Sequence, residues 1–484
     1  MAPRGASESC LQSCAASHYP GIEEVRRRAN VYGMDRTLKA LRCALLALCG
    51  LGYAVQITAQ TSAVQADIDP ELARYIASVA AIDNHAHTVL PPPNDKTDRD
   101  FDALPVDSMA PQTDPVALRD SNPRLADAWQ ALWGFNGKPP LASDALAKLQ
   151  AARTSIKRRE GANYDTWLLN RVNVGVQLAN RVAMGPSIDR PRFQWVPYDD
   201  ALLFPLNTEQ LAAATPDKGQ FFPLEAKVLQ RYLQAVRLEV IPATLDDYVR
   251  LVVVPTLQAQ RMGGAVAIKF EAAYLRAFHF GIPSRDVAAR IYAQDGYKYT
   301  PRDSDYAVVQ DYLFWRICME AGRLGMAVHL HTGEGAGSYF GLAGVNPMLL
   351  EPTFNNPDLR GTSFVMLHGS WPYVHEAGAL LQKPNVYLDL SQQAILFSPR
   401  TMSTWLREWL ELYPDKVLYG TDGYPYSESL GWEESLWIAN RTEREALGLA
   451  LTGMLRDGEI DLPRAKAIAE MVLRGNAAKL YGMP

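Results

Sequence analysis

Val79–His87, VAAIDNHAH, reads as a β-strand that ends in two histidines spaced two residues apart. Alternate residues of a strand point to the same face, so Asp83, His85 and His87 are expected on one side. Working outward, seven more apolar runs of strand length follow: Gly175–Arg181, Phe193–Tyr198, Ala265–Phe270, Met326–His331, Ser363–His368, Asn385–Leu390 and Lys416–Thr421. Amphipathic helical patterns such as Asp305–Leu324 and Pro399–Tyr413 lie between the later runs, and Glu433–Leu455 follows the last. Strands alternating with helices imply a parallel sheet covered by helices. Eight such units predict an α/β fold, the closed (β/α)8 TIM barrel, whose functional residues gather at the strand C-termini. The proline-rich Leu90–Asn94 and the helical patterns after it make 90–170 too long for one crossover. That stretch is expected to be a helical cap inserted after the first strand, within a single barrel domain spanning 67–484.

Composition narrows the function. The 484 residues are 48% apolar and 21% charged, as in a globular protein, and 48 Lys+Arg against 53 Asp+Glu give a net charge of −5. There is no basic block of the kind a nucleic-acid binder carries and no apolar run long enough to make a stable membrane span. A small-molecule partner is the expectation, and the sequence leaves homo-oligomerisation open.

The first 66 residues stand apart. Arg36, Lys39 and Arg42 precede an uncharged run, Cys43–Val55, and small residues follow at Ile57-Thr58-Ala59 and Val64-Gln65-Ala66. A basic head, a short apolar core and a small-residue cleavage site make a secretory signal peptide starting at Met34, with 1–33 an over-extended reading of the gene. The expected location is periplasmic or secreted. Cleavage near residue 59 or 66 leaves Cys318 alone of the five cysteines, so no internal disulfide is expected in the mature chain.

Five of the eight histidines lie at strand ends. Two imidazoles at the His85/His87 spacing can hold one metal ion from the same side. His329 and His331 repeat that spacing in AVHLHTGEG, His368 closes FVMLHGSW, and Asp422 follows VLYGT. Of the second pair, His331 lies nearer the mouth and is the expected ligand, with His329 a layer deeper and orienting another group. Lys269, within GGAVAIKFEAAYLR, is a buried lysine that either pairs with Asp422 or Glu271 or, carboxylated, bridges two metal ions. Arg181 and Arg276, near the ends of the second and fourth strands, are candidates to clamp a substrate carboxylate.

In chain order, DNHAH, HLHTG, MLHGSWPYVHEAG, NVYLDLS and YGTDGYPY resemble the amidohydrolase superfamily of metal-dependent barrels. HTG, LHG and GTD look like its amidohydrolase-2 branch, which includes amino-muconate semialdehyde decarboxylases. KFEAAYLR and HEAGALLQKPNVYLDLS look closer still to the amidohydrolase-like half of glutamine-synthetase fusion proteins. The resemblance covers residues 75–484. It implies that His85, His87 and His331 ligate one or two divalent ions, zinc by preference, that Asp422 completes the site and moves protons, and that His368 polarises substrate or activates water. The chemistry of the donors agrees, since three neutral nitrogens and a carboxylate suit zinc with a position left open. The implied reaction is hydrolysis of an amide or cyclic-amide C–N bond. The alternatives are a decarboxylase or isomerase of a small carboxylate and a metal-binding barrel without turnover.

Overall fold

A computed structural model describes residues 64, 67–92, 94–106, 114–186, 188, 191–293 and 302–483. The expected signal peptide and its Met34 start lie outside the described residues. Eight parallel strands appear where the apolar runs placed them, most of them shorter: β1 (Ala81–Ala86), β2 (Val174–Asn180), β3 (Phe193–Val196), β4 (Ala267–Phe270), β5 (Ala327–His331), β6 (Phe364–Leu367), β7 (Val386–Asp389) and β8 (Val417–Leu418). They pair in the orders β1-β2-β3 and β4-β5-β6-β7-β8.

Backbone hydrogen bonds join these two sheets at both seams. Val266 N donates to Trp195 O (3.0 Å), Lys269 N to Pro197 O (2.7 Å) and Asp199 N to Lys269 O (3.0 Å), linking β3 to β4. At the other seam Asn84 N donates to Tyr419 O (2.9 Å), Asp422 N to His85 O (2.8 Å) and His87 N to Gly423 O (2.9 Å). The ring therefore closes through the segments that follow β3 and β8, and the second seam fixes His85, His87 and Asp422 against one another by main-chain bonds.

Ile82, Leu178, Val196, Ala267, Ala327, Val365, Leu367 and Leu418 form one apolar cluster drawn from seven strands, with Tyr387 of β7 packed on it. This is the barrel interior, and the C-terminal helix Asn476–Tyr481 plugs it with Ala477, Leu480 and Tyr481. The larger cluster lies between the strands and the outer helices. Those helices carry the expected start signals. Pro399–Leu412, for example, has Pro at its first position, and the Ser398 hydroxyl accepts from Thr401 N at 3.2 Å. The helices read as Asp305–Leu324 and Glu433–Leu455 form at Asp303–Arg323 and Trp432–Arg456.

Between β1 and β2 lie helices Arg124–Trp133, Ser143–Glu160 and Tyr164–Arg171. A second helical stretch, which the sequence pattern did not single out, lies between β3 and β4 and includes Pro216–Ala235 and Val254–Met262. One expectation about β1 fails. The strand's pairing slips between Asp83 and Ala86, so Asp83 does not share a face with the histidines. Its carboxylate instead accepts from Thr421 N (2.8 Å), Thr421 Oγ1 (2.6 Å) and Gln177 Nε2 (2.8 Å).

Candidate metal centre

The β1 end and the turn after β8 bring three potential ligands together. His85 Nε2 lies 3.0 Å from Asp422 Oδ1, and His87 Nε2 lies 3.3 Å from the same oxygen. All three residues are buried, and their ligand atoms fall within 4.8 Å of one another. His87 Nδ1 lies 3.0 Å from the Phe101 carbonyl, which can only accept, so Nδ1 carries the proton and Nε2 presents a lone pair. Both ring nitrogens of His85 and Oδ1 of Asp422 are buried without a hydrogen-bond partner. Burial, then the charge of Lys269, holds the His85 pKa well below its usual value, so the ring is neutral. Two imidazoles and a carboxylate oxygen that converge with no hydrogen bond between them fit a divalent cation, because burying such groups unpartnered is costly.

The backbone is strained where these side chains are aimed. His368 (φ 70°), Ser370 (φ 58°) and Asp422 (φ 52°) adopt the left-handed conformation despite carrying side chains, a cost of order 1–3 kcal/mol each that tends to persist at functional sites. Gly333 of the HTG motif has φ 76°, and a Cβ there would meet Ser370 and Trp371 backbone atoms at 2.5 Å. Only glycine lets the loop after β5 pack onto the loop after β6.

His331 and His368 stand in the same cavity wall. Their ring centroids are 4.4 Å apart, and those of His85 and His368 are 4.9 Å apart. His331 is not part of the tight three-residue group. Its Nε2 lies 3.2 Å from the Glu334 carbonyl, which leaves Nδ1 as the lone-pair atom. Burial, then the Lys269 charge, pushes its pKa down to about 3. His368 Nδ1 lies 2.7 Å from Ser391 Oγ, whose hydroxyl donates to Asp389 Oδ1 at 2.7 Å. The Gln392 backbone N–H also points at His368 Nδ1, at 3.4 Å, so Ser391 and the turn after β7 together hold the ring in place. Burial disfavours the Asp422 carboxylate, but His368, His85 and His87 around it more than offset this and hold its pKa well below the carboxylate range.

His329 sits deeper, as its position implied, but touches none of the three grouped ligands. Its Nε2 donates to Tyr481 Oη (2.7 Å), and Tyr481 donates to Asn84 Oδ1. Asn84 Nδ2 in turn donates to Asp389 Oδ2 at 2.6 Å. Lys269 is fully buried, its Nζ makes no hydrogen bond, and its ion-pair partner is Glu271, with Oε1 at 4.0 Å, rather than Asp422.

The two arginines do not reach the cavity. Arg181 is 1% exposed and spends its guanidinium on Asp98, with both carboxylate oxygens at 2.8 Å, and on the carbonyls of Thr88 and Ala183. Arg276 bonds Asp311 (2.7 Å) and Gln310 (2.8 Å) and stacks over Phe280. The clamp expected of them is corrected on this ground: their donors are taken by internal partners. Sequence reasoning missed Asp102 and read Glu271 only as a partner for Lys269; the two form a second potential ligand group with His87. It also missed the Ser391–Asp389 support. The i, i+2 spacing of Asp389 and Ser391 at the end of β7 was the signal for the latter, whereas Asp102 lies in an insertion with no periodicity to mark it.

The amidohydrolase family profile matches residues 203–483, more than half of the chain. Protein fluG of Emericella nidulans is 34% identical over 157 residues, which is 32% of this chain and only 17% of that protein. Among solved structures, a protein from Lactobacillus casei described as a metal-dependent hydrolase aligns at TM-score 0.56 and 18% identity, over 85% of this chain and 97% of its own. The uronate isomerase of Thermotoga maritima aligns at TM-score 0.58 and 11% identity, over 87% and 99%. At these identities the structural likeness speaks for the barrel fold. Together with the profile match, it means that this chain belongs to the amidohydrolase family.

Proposed function

We propose that the chain is a metal-dependent hydrolase that cleaves an amide or cyclic-amide C–N bond. The observation that carries this reading is the convergence of His85 Nε2, His87 Nε2 and Asp422 Oδ1, buried beside one another with no hydrogen bond between them. These three would hold the ion, with His331 in the adjacent wall as a further ligand and zinc as the metal the donors favour. A divalent ion there supplies Lewis acidity, polarising a carbonyl and lowering the pKa of water from 15.7 to about 7.

The chain's own residues divide the remaining work. Asp422 takes a proton from the attacking water and returns it to the departing nitrogen. His368, its ring held at Nδ1 by Ser391 and packed against His85 and His331, polarises the substrate or activates water. Asp389 supports that ring orientation through Ser391. Lys269 lies too far from Asp422 to form an ion pair, and a carboxylated Lys269 bridging a second ion is retained as the two-metal form of the same reading. The stretch 90–170 acts as the cap, a role supported by Asp102, Leu104, Asp114 and Leu118 in the cavity lining. Export through the Met34 signal peptide is the proposed route to the periplasm. Residues 34–59 found intact in native cytoplasmic protein by mass spectrometry contradict it.

The test is metal analysis of purified protein followed by a screen of N-acyl amino acids, dipeptides and aromatic carboxylates. Bound zinc with release of an amine is the expected result. Release of CO₂, or isomerisation without cleavage, overturns the hydrolase reading in favour of the lyase or isomerase alternatives.

A further inference from the structure

The cavity over the metal centre is lined by carboxyl groups with no lysine or arginine among the described residues to match them. Asp102, Asp114, Glu271 and Glu334 line it in addition to Asp422. The two arginines that could have reversed this balance are turned into internal ion pairs. Lys269 faces Glu271 only through Oε1, at 4.0 Å. The other oxygen, Glu271 Oε2, has no hydrogen-bond partner although the residue is only 4% exposed. Glu334 Oε2 is likewise buried and without a partner. Tyr274 and Tyr426 also line the cavity, and aromatic faces attract cations. A carboxylate-bearing substrate would find no counter-charge among the described lining residues, whereas an ammonium group would find acceptor oxygens that are otherwise left unsatisfied.

We propose that the carboxylate wall formed by Glu271, Glu334, Asp102 and Asp114 binds a cationic nitrogen, so that the substrate of this site is an amide carrying a free ammonium group. The proposal rests on the metal-dependent reading of the same cavity and adds the substrate class to it. It also separates this chain from an isomerase of uronates, whose substrate carboxylate has no counter-charge among the described lining residues. Because His87, Asp102 and Glu271 could also gather a second metal ion, that occupant has to be distinguished experimentally.

Three hydroxamates share a zinc-chelating head and differ in the tail: 4-aminobutanohydroxamate, pentanohydroxamate and succinate monohydroxamate. Their binding to the zinc-loaded protein is measured by calorimetry, with metal content determined on the same samples. The ammonium tail is expected to bind at least about ten-fold tighter than the methyl tail, and the carboxylate tail weakest. Glu334→Gln is expected to remove most of the ammonium advantage while leaving pentanohydroxamate affinity unchanged, and Glu271→Gln to remove it as well. n-Butylammonium has no metal anchor and reads the wall alone. If it binds while no hydroxamate does, the metal reading fails and the acidic wall stands. Equal affinity for all three tails, or a preference for the carboxylate, overturns the proposal and leaves the metal reading intact. Two bound zinc ions that fall to one in Glu271→Gln, with no ammonium preference, overturn it in favour of a second metal site.

Discussion

Two buried polar clusters lie near the end of β1, and they are built on opposite principles. In the Arg181–Asp98 cluster every guanidinium nitrogen has an acceptor, and Asp98 also accepts from the backbone of Leu90 and Asp100. In the His85–His87–Asp422 cluster the nearest polar atoms face one another without a hydrogen bond, and His85 makes no side-chain hydrogen bond at all. Both are made of residue types that suggest function. A closed cluster spends its polarity on holding the chain together, whereas an open one keeps it for a ligand. The same contrast separates Arg276, paired with Asp311, from Glu271 and Glu334, each with a free buried oxygen.

The sharpest way to break this contrast is to alter the open cluster. Asp422→Asn keeps the shape and one coordinating oxygen but cannot take a proton, so turnover should fall by about 10²–10⁴ with metal content and melting temperature little changed. An Asp422→Asn protein that turns over at the parent rate removes this residue from the chemistry. His368→Asn should slow turnover by about 10² with the metal retained, and Ser391→Ala by less, because it only orients the ring. If both variants lose metal instead, His368 is a ligand rather than a base.

Altering the closed cluster should do the reverse. Arg181→Met leaves Asp98 buried without its partner and should cost about 3–5 kcal/mol of stability at neutral pH, while metal content and KM stay near the parent values. The pH dependence sharpens this. Burial raises the Asp98 pKa, but the Arg181 pair more than offsets it and leaves the pKa lowered. That stability is therefore fully present above the unfolded carboxyl pKa and is lost as pH falls through the lower folded one, below about pH 4. In Arg181→Met only the Leu90 and Asp100 amides still oppose burial, so the pKa rises relative to the parent and the stability deficit should shrink as urea midpoints are measured from pH 7 towards pH 4. A deficit independent of pH means that the pair contributes packing only.

The smallest effects are expected in the deeper layer. Tyr481→Phe breaks the link between His329 and Asn84 and should cost about 1–2 kcal/mol, with turnover within a few-fold of the parent. His329→Ala should strip less metal than His331→Ala. Equal metal loss in the two would mean that the deeper imidazole also serves the ion.

What the sequence made legible follows from how local each signal is. Eight strands, and the placement of His85, His331, His368 and Asp422 at their ends, follow from apolar runs and short spacings within single segments. The arginines were misread because their partners lie far off in the chain: Asp98 is 83 residues before Arg181, and Asp311 is 35 after Arg276. The slip in β1 that turns Asp83 away depends on pairing with β2 and leaves no trace in VAAIDNHAH. The acid wall was missed for the same reason, since Asp102, Glu271 and Glu334 come from three separate segments and meet only across the mouth.

The central claim is that the open cluster is a divalent-metal centre and the closed one is structural. Zinc titration of metal-stripped protein by calorimetry, run on the parent, His85→Ala and Arg181→Met, tests it most directly. The account predicts at least one tightly bound zinc per chain in the parent and in Arg181→Met, and loss of that site in His85→Ala while the protein stays folded. A folded His85→Ala protein that binds zinc with the parent's affinity and stoichiometry contradicts it.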